Sequence, residues 1–298
     1  MKEKILNIET VHQCNCCLGC KTLHPLASAI DLSKASLEQQ TIKFDFYTVL
    51  IIEGEVEEFL FGRKYYDYSN ASLVFLMPGE SIKIGKSKAF PTKGWLLAFH
   101  PDLLTQTSLG EHINNYSFFF YKIDEALHIS QREKKKVIEC LLSIEEELRH
   151  AIDCHSKTLI SRYIELLLDY CTRFYERQFI TRSEASKEII KQTDILLDQY
   201  ILSGKSKNNH TPSAEYCADI LQLSPHYFND LLKFESEKDI YEYYQLKRLD
   251  KAKKMLLNSD NTVSMITEKL GYPSVQYFSH WFKKLTGIVP NRYRLVQN

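Results

Sequence analysis

The chain has 298 residues, of which 44% are hydrophobic and 26% charged, with ten glycines and eight prolines. This composition excludes fibrous and largely disordered proteins, and the length allows two folding units. The 38 basic and 38 acidic side chains cancel, which taken alone argues against a polyanion partner. The opening MKEKILNIET is too charged for a secretory signal, and no apolar run is long enough for a bilayer, so we expect a cytoplasmic protein without a membrane partner.

Four of the eight cysteines lie near the start of the chain, at Cys14, Cys16, Cys17 and Cys20. Thiolate sulfur suits zinc, copper(I) or arsenite, and neighbouring thiols can also act as a redox sensor. The spacing differs from the two separated Cys-x-x-Cys pairs of common zinc sites. The four residues are therefore candidate metal ligands or sensor thiols, and a segment whose cysteines have no role is the alternative.

Residues 42–99 contain short β-type runs separated by Gly, Pro, Asn and Asp. The predicted strands span 42–52, 57–61, 71–77, 81–84 and 94–99. Many short strands at such spacing indicate a small antiparallel barrel or sandwich. No histidine occurs in this region, although imidazole is the usual ligand of catalytic metals, and no nucleophile elbow or phosphate loop appears elsewhere. We therefore expect no enzymatic activity.

Arg63, Tyr65 and Tyr66 follow the second predicted strand. A guanidinium suits a carboxylate or phosphate, and tyrosines combine an apolar ring with a polar tip. These three residues are the predicted effector-binding side chains. Packing of the tyrosines at a strand end is the alternative interpretation.

Two later segments, 131–150 and 156–179, repeat apolar residues at helical spacing. They predict a helical hairpin whose apolar stripe either covers the sheet or pairs with a second copy of the chain. A third helix is predicted over 184–202, followed by a Gly/Ser/Asn/Lys run at 203–209 that is typical of a linker.

The C-terminal region contains an internal repeat. SPHYFNDLLK at 224–233 aligns with SVQYFSHWFK at 274–283. Each copy follows a short amphipathic helix, at 214–221 and 263–270, and a tight turn, and each begins with a serine suited to an N-cap. Helix, short turn and second helix are the plan of the helix-turn-helix, whose second helix enters the DNA major groove.

The helical spacing separates an inward face from an outward face in each copy. The predicted inward residues are Phe228, Leu231 and Leu232 in the first copy and Phe278, Trp281, Phe282 and Leu285 in the second. The predicted base-reading residues are His226, Asn229, Val275, Gln276, Ser279 and His280. An ordinary solvated face is the alternative, but two matched copies favour base reading.

A long helix is predicted over 240–257, and it begins a basic region. Residues 247–298 hold ten basic and three acidic side chains, whereas 208–246 hold two basic and seven acidic ones. The predicted DNA-contacting cations are Lys247, Arg248, Lys254, Lys283, Lys284 and Arg292. Because Asp230 lies on the outward face of the first copy and DNA phosphates repel carboxylates, we expect the second copy to be the better DNA reader.

Residues 211–294 resemble the DNA-binding domain of the AraC/XylS family. The likeness lies in LSPHYF at 223–228, LKRLDKAKKMLL at 246–257 and, above all, LGYPSVQYFSHWFKKLTGIVPNRYR at 270–294. The resemblance implies seven helices in two helix-turn-helix subdomains joined by a long helix, which bind successive major-groove segments to control transcription. FESEKD at 234–239 departs from the Thr-Gly-Lys type of turn usual in the family.

The first half is similar, less strongly, to the cupin-like sensor domains that precede this module in many members of the family. TLHPL at 22–26, FGRKYYDY at 61–68 and LVFLMPGE at 73–80 carry this likeness. It implies a barrel that receives a small effector or mediates assembly.

The sequence thus predicts an α+β protein. Residues 1–183 form a cupin-like antiparallel β-barrel with a helical hairpin, 184–210 a connecting helix and linker, and 211–298 an all-α DNA-binding domain with two helix-turn-helix units. We expect a transcription activator that binds double-stranded promoter DNA and RNA polymerase, responds to a small-molecule effector, forms a homodimer and needs no cofactor. The alternative is a regulator whose cysteine cluster senses thiol oxidation or a metal.

Overall fold

The computed structural model describes residues 5–35, 41–53, 61–83, 93–203, 210–257 and 260–297. Contacts within the chain divide it into two units, Met1–Arg182 and Ser183–Asn298. The helix expected in a separate connector begins the C-terminal unit. The three-part division with boundaries at 183 and 210 stays a prediction.

The strands of the described residues lie in the N-terminal unit and form two sheets. They are β1 (Ile5–Ile8), β2 (Ala27–Asp31), β3 (Thr41–Phe44), β4 (Tyr47–Glu53), β5 (Ala71–Leu76), β6 (Glu80–Lys83), β7 (Gly94–Phe99) and β8 (Leu127–Ile129). An antiparallel sheet has the order β2-β7-β4-β5-β8, and a smaller sheet has the order β1-β3-β6, with β1 parallel to β3.

The five-stranded sheet is buried on both faces. On β4, Val49 and Ile51 belong to a core shared with helices, whereas Leu50 and Ile52 belong to a core shared with the three-stranded sheet. Because neither face of the middle of β4 meets water, residues 49–52 are continuously apolar rather than alternating. The N-terminal unit is therefore layered, with the larger sheet in the middle.

This region differs from the prediction in two respects. The strand predicted over 42–52 is two strands, because the chain turns at Asp45 and Phe46 between β3 and β4. Among the described strands neither sheet closes on itself, so the cupin-like barrel is not confirmed. The strands predicted at 71–77 and 94–99 are confirmed as β5 and β7. Phe61 lies in a turn with φ 42°, and 57–60 lie outside the described residues.

Helices cover the outer face of the larger sheet. The helices of this unit are α1 (Val11–Cys17), α2 (Pro101–Leu104), α3 (Ser108–His112), α4 (Gln131–Arg149) and α5 (Ser156–Thr181). The predicted hairpin is confirmed as α4 and α5. Val137, Leu141 and Ile144 of α4 pack in the core with β4 and β7, so the apolar stripe covers the sheet.

The described part of the C-terminal unit is helical. Its helices are α6 (Ser183–Leu202), α7 (Ala214–Leu221), α8 (Pro225–Ser236), α9 (Ile240–Leu257), α10 (Val263–Lys269), α11 (Val275–Thr286) and α12 (Pro290–Gln297). The described residues of 211–294 thus hold six helices rather than the seven implied, and α6 supplies a seventh from outside that range. None of the described helices combines the length and apolarity that crossing a bilayer requires.

Candidate nucleic-acid interface

The first helix-turn-helix motif consists of α7 and α8. Ser224 precedes α8, and its hydroxyl accepts a hydrogen bond from the Tyr227 backbone N–H at 3.2 Å. In the turn, Gln222 adopts a left-handed conformation with φ 60°, and the Leu223 N–H donates to the Ala218 carbonyl at 2.9 Å. The predicted N-cap is confirmed, and it satisfies an amide that the helix cannot pair internally.

The second motif consists of α10 and α11 and repeats this plan. The hydroxyl of Ser274 accepts from the Tyr277 backbone N–H at 3.1 Å, which confirms the second N-cap. Glycine provides the left-handed residues here, with Gly271 at φ 75° in the turn and Gly287 at φ 81° after α11. The position equivalent to Gly287 after α8 is Glu237, also left-handed at φ 58°. The first motif therefore uses strained non-glycine residues where the second uses glycine.

The long helix α9 joins the two motifs through one hydrophobic core. Tyr244, Ala252 and Leu256 of α9 are fully buried in the same cluster as Phe228 of α8 and Phe278 of α11. A shared core holds the two second helices in a fixed relation. Two rigidly spaced second helices are what a protein needs to read two segments of one duplex.

The outward faces of the two second helices differ in exposure. In α11, Val275, Gln276 and His280 are exposed and Ser279 is half-buried. In α8, only His226 of the predicted base readers is exposed. The second helix therefore presents the larger accessible polar face.

Asn229 and Asp230 of α8 are both half-buried. The inward assignment also needs one correction, because Leu285 is 45% exposed, while Trp281 is partly buried against the core. The remaining predicted inward residues of both copies are buried.

Four of the six predicted DNA-contacting cations are exposed: Lys254, Lys283, Lys284 and Arg292. They lie on α9, α11 and α12. The second motif and the helices that flank it therefore carry the accessible positive charge. Counterion release would make their phosphate contacts dependent on salt concentration.

Arg248 contradicts the prediction of a DNA contact. Its side chain is fully buried, its Nη2 donates to the Leu270 carbonyl at 2.7 Å, and its guanidinium lies 3.7 Å from the centre of the Tyr272 ring. A side chain without access to solvent cannot reach a phosphate. Arg248 instead ties α9 to the end of α10 by a charge-assisted hydrogen bond and a cation–π contact.

Sequence reasoning missed the role of α6. Lys247 Nζ lies 2.7 Å from Asp194 Oδ1, and Lys251 Nζ lies 2.9 Å from Asp198 Oδ1. The hydroxyl of Tyr243 also donates to Asp194 at 2.8 Å. Lys247 is therefore engaged within the C-terminal unit, and α6 neutralises two lysines of α9. The matching four-residue spacing of the two aspartates and the two lysines was the available signal.

The predicted effector residues lie on an anchored loop of the N-terminal unit. Tyr65 is 99% exposed, Tyr66 is 36% exposed and Arg63 is half-buried. The two tyrosine rings meet edge to face with centroids 5.0 Å apart. The structure thus brings Tyr65 and Tyr66 together at the surface, where a ring can be offered to a ligand.

Asp67 anchors this loop and was missed by the sequence analysis. Its carboxylate is enclosed and accepts from Arg182 Nε at 2.8 Å and from Arg182 Nη2 at 2.7 Å. Burial acts to raise the pKa of Asp67, but the hydrogen bonds and charge of Arg182 outweigh it and hold this pKa below its ordinary value. Because the partners are 115 residues apart, no local pattern revealed the pair.

His128 lies near this ion pair and is also fully buried. Its Nδ1 lies 2.8 Å from the Ser72 hydroxyl, and its backbone N–H donates to Gln178 at 2.7 Å. Burial, and then the charge of Arg182, lower the pKa of His128 to about 4. The imidazole is therefore neutral in the folded protein near pH 7.

The four cysteines of the N-terminal cluster differ in burial. Cys14 is buried in the core, which raises the pKa of its thiol, whereas Cys16 is exposed and Cys17 and Cys20 are half-buried. Cys14, Cys16 and Cys17 lie on α1, and Cys20 follows the end of that helix. No group of three or more Cys, His, Asp or Glu side chains in the described parts of the chain is arranged to hold a metal ion. Thiol sensing by this segment stays a prediction.

Comparison with known proteins defines the class of the C-terminal region. Residues 217–295 match the family described as a helix-turn-helix domain. The match begins in α7 and ends in α12, so it covers both motifs. Together with the paired N-caps and the shared core, it defines this region as a helix-turn-helix domain, and it supports the likeness to AraC/XylS regulators.

Two of the relatives that this chain matches are described as transcriptional regulators. YobQ of Bacillus subtilis (strain 168), described as an HTH-type transcriptional regulator, is 34% identical over 77 residues, which are 26% of this chain and 32% of that protein. LumQ of Photobacterium leiognathi, a probable transcriptional regulator, is 23% identical over 228 residues, which are 75% of this chain and 82% of that protein. The match to YobQ thus concerns one domain.

Two further similarities each cover more than a third of this chain. The xylose operon regulatory protein of Haemophilus influenzae is 30% identical over 38% of this chain and 29% of its own length. Among solved structures, the C-terminal domain of AraT, a response regulator from Geobacillus stearothermophilus, shares 32% identity over 35% of this chain and 84% of that chain, with a TM-score of 0.29. The chain therefore spans about a third of the first curated relatives it matches.

Proposed function

We propose that this protein is a sequence-specific DNA-binding transcriptional activator, in which α8 and α11 enter successive major-groove segments of promoter DNA. The observation that carries the proposal is the pair of serine-capped second helices held on one core by α9. A fixed spacing between two recognition helices selects two base sequences at a fixed separation.

The second motif is proposed as the principal reader. Gln276 can pair with adenine, Val275 can contact a thymine methyl group, and His280 can donate to or accept from a base edge. All three side chains are exposed. Lys283 and Lys284 follow on the same helix and are exposed, and their proposed role is to contact phosphates.

The N-terminal unit is proposed to receive a small-molecule effector at Arg63, Tyr65 and Tyr66 and to form a homodimer. Support for the first role is the exposed pair of tyrosine rings and the half-buried Arg63, which precedes them in the same loop. Support for dimerisation is the outer face of the hairpin, which exposes large apolar side chains at Leu142, Leu159, Leu166 and Ile180.

The test is a DNA-binding measurement on the full chain. Fluorescence anisotropy with DNA from upstream of its own gene, and with scrambled DNA, would be recorded at several salt concentrations. We expect preference for the upstream sequence and an affinity that falls steeply with salt. Equal affinity for both DNAs together with no salt dependence would contradict the proposal.

Two lysine variants give the matched control. Lys254→Ala should weaken binding to every DNA alike and reduce the salt dependence by about one counterion. Lys21→Ala removes an exposed lysine of the N-terminal unit and should leave DNA binding unchanged. Transcription in vitro with purified RNA polymerase then distinguishes activation from repression, since an activator increases the amount of transcript and a repressor reduces it.

A further inference from the structure

A cavity in the N-terminal unit is lined by none of the three predicted effector residues, although the guanidinium of Arg177 on its wall lies 4.9 Å from the centre of the Tyr68 ring in the same loop. It has a volume of about 420 Å³ and lies between the first turns of α4 and the second half of α5. Pockets of this size are large enough for a small metabolite. Its walls carry four cationic side chains, at Arg132, Lys136, Arg173 and Arg177.

Two of these cations are neutralised by neighbouring carboxylates. Arg177 forms two hydrogen bonds of 2.9 Å with Glu133 and donates a third to the His128 carbonyl at 2.7 Å. Lys136 Nζ lies 2.6 Å from Glu139. The donors of Arg177 are therefore directed to partners within the protein, and the Lys136 charge is balanced.

The other two cations are uncompensated. Among the described residues, the side chains of Arg132 and Arg173 form no ion pair or hydrogen bond. Glu176 lies one turn from Arg173 without pairing to it, and Asp169 accepts instead from the Tyr116 hydroxyl at 2.7 Å. Two free guanidiniums on one cavity provide donors in the geometry that phosphate oxygens accept.

The same cavity has an aromatic wall. The rings of Tyr170 and Phe174 are stacked with centroids 6.0 Å apart and an angle of 20° between their planes. Tyr170 is half-buried, so its ring remains accessible from the cavity. A planar ring of a ligand can stack on it, which adds binding energy that a bare anion would not gain.

We propose that this cavity binds a phosphomonoester that carries an aromatic ring, such as a nucleoside 5′-monophosphate. Its dianionic phosphate is balanced by Arg132 and Arg173, and its base stacks on Tyr170. The charge of the phosphate at neutral pH matches the two unpaired cations. This binding is independent of the DNA-binding function proposed above.

Calorimetric titration of the full chain tests the site with four probes: adenosine 5′-monophosphate, adenosine, ribose 5-phosphate and inorganic phosphate. We expect the nucleotide to bind at least about tenfold more tightly than any other probe, since each fragment lacks one of the two recognised groups. Binding of adenosine as tight as that of the nucleotide would overturn the role of the guanidiniums. Inorganic phosphate or ribose 5-phosphate binding as tightly would overturn the role of the ring.

Variants locate the site. Arg132→Ala and Arg173→Ala should each weaken nucleotide binding by about tenfold or more, whereas Arg162→Ala, at an exposed arginine of α5 outside the cavity, should change it by less than about twofold. Tyr170→Leu should weaken the nucleotide but leave inorganic phosphate unchanged. An equal loss in Arg162→Ala, or no loss in the two cavity variants, would overturn the proposal. Because Arg132 and Arg173 are exposed, we expect both alanine variants to fold, and circular dichroism checks this.

Discussion

Charged side chains are enclosed in the N-terminal unit, whereas most of those described in the C-terminal unit lie nearer the surface, and Arg248 is an exception. The side chains of Arg182 and Asp67 are 9% and 0% exposed, whereas those of Lys251 and Asp198 are 23% and 51% exposed. The exposed lysines and Arg292 of the C-terminal unit are available to a partner, while the enclosed charges hold the fold together. Enclosed charges thus stabilise the fold, whereas exposed charges are available for recognition. Arg248, which is enclosed although it lies in the C-terminal unit, tests this distinction.

The largest expected effect comes from breaking the enclosed pair. Asp67→Ala leaves the Arg182 guanidinium buried without a counter-ion, and we expect the free energy of unfolding to fall by about 3–5 kcal/mol. Asp198→Ala removes the exposed partner of Lys251 and should cost about 0.5 kcal/mol. Denaturant unfolding of the full chain measures both, and equal losses would contradict the contrast between the units.

Arg248→Ala should also destabilise, by about 2–4 kcal/mol, because it removes the bond to the Leu270 carbonyl and the stacking on Tyr272. If Arg248 contacted DNA instead, the Arg248→Ala variant would bind DNA more weakly and its unfolding curve would be unchanged. Lys254→Ala is the control, since its exposed side chain should affect DNA binding alone.

The pH dependence of stability should follow His128. Its folded pKa of about 4 lies below its ordinary value of 6.5, so below pH 6.5 the unfolded chain binds more protons than the folded one. The contribution of His128 is therefore complete above about pH 6.5 and is lost as the pH falls toward 4, by about 2 kcal/mol between pH 7 and pH 5. Unfolding curves of His128→Gln should show a smaller loss over this interval, and an unchanged slope would rule the assignment out.

Within the C-terminal unit, the two motifs should differ in DNA reading. Gln276→Ala and His280→Ala should each reduce discrimination at one base position by about 1–2 kcal/mol. His226→Ala and Asn229→Ala should have smaller effects, because α8 presents a less accessible and more acidic face. Binding to a library of single-base variants measures this, and larger effects from the α8 variants would reverse the assignment.

A small effect on stability is expected at the residues that follow α8 and α11. Gly287→Ala places a side chain in a left-handed conformation and should cost about 1 kcal/mol, since no atom lies near enough to add a clash. Glu237→Gly relieves the same strain in the first motif and should stabilise by up to about 1 kcal/mol. Thermal unfolding compares the pair, and shifts of the same sign would argue against a common strain.

Local features of the fold were available from the sequence. The predicted helices at 214–221 and 240–257 agree with α7 and α9, and both serine N-caps are confirmed. Apolar periodicity and capping depend on residues within a few positions of each other, so a single sequence contains them. The predicted exposure of Gln276 and His280 followed from the same periodicity.

Only the tertiary structure determined the contacts between residues that are far apart along the chain. The described strands pair as two sheets, an arrangement that depends on contacts between residues far apart along the chain. Arg248 belongs to a lysine-rich run, yet it is buried because Tyr272 and the Leu270 carbonyl contact it from the turn that follows α10. In the sequence Asp67 resembles an ordinary loop residue, and only the folded structure shows its enclosed ion pair with Arg182. The sequence by itself determined the helices of the hairpin and of the two motifs, the two serine N-caps and the basic C-terminal region, and only long-range packing determined which charges are free to meet a partner.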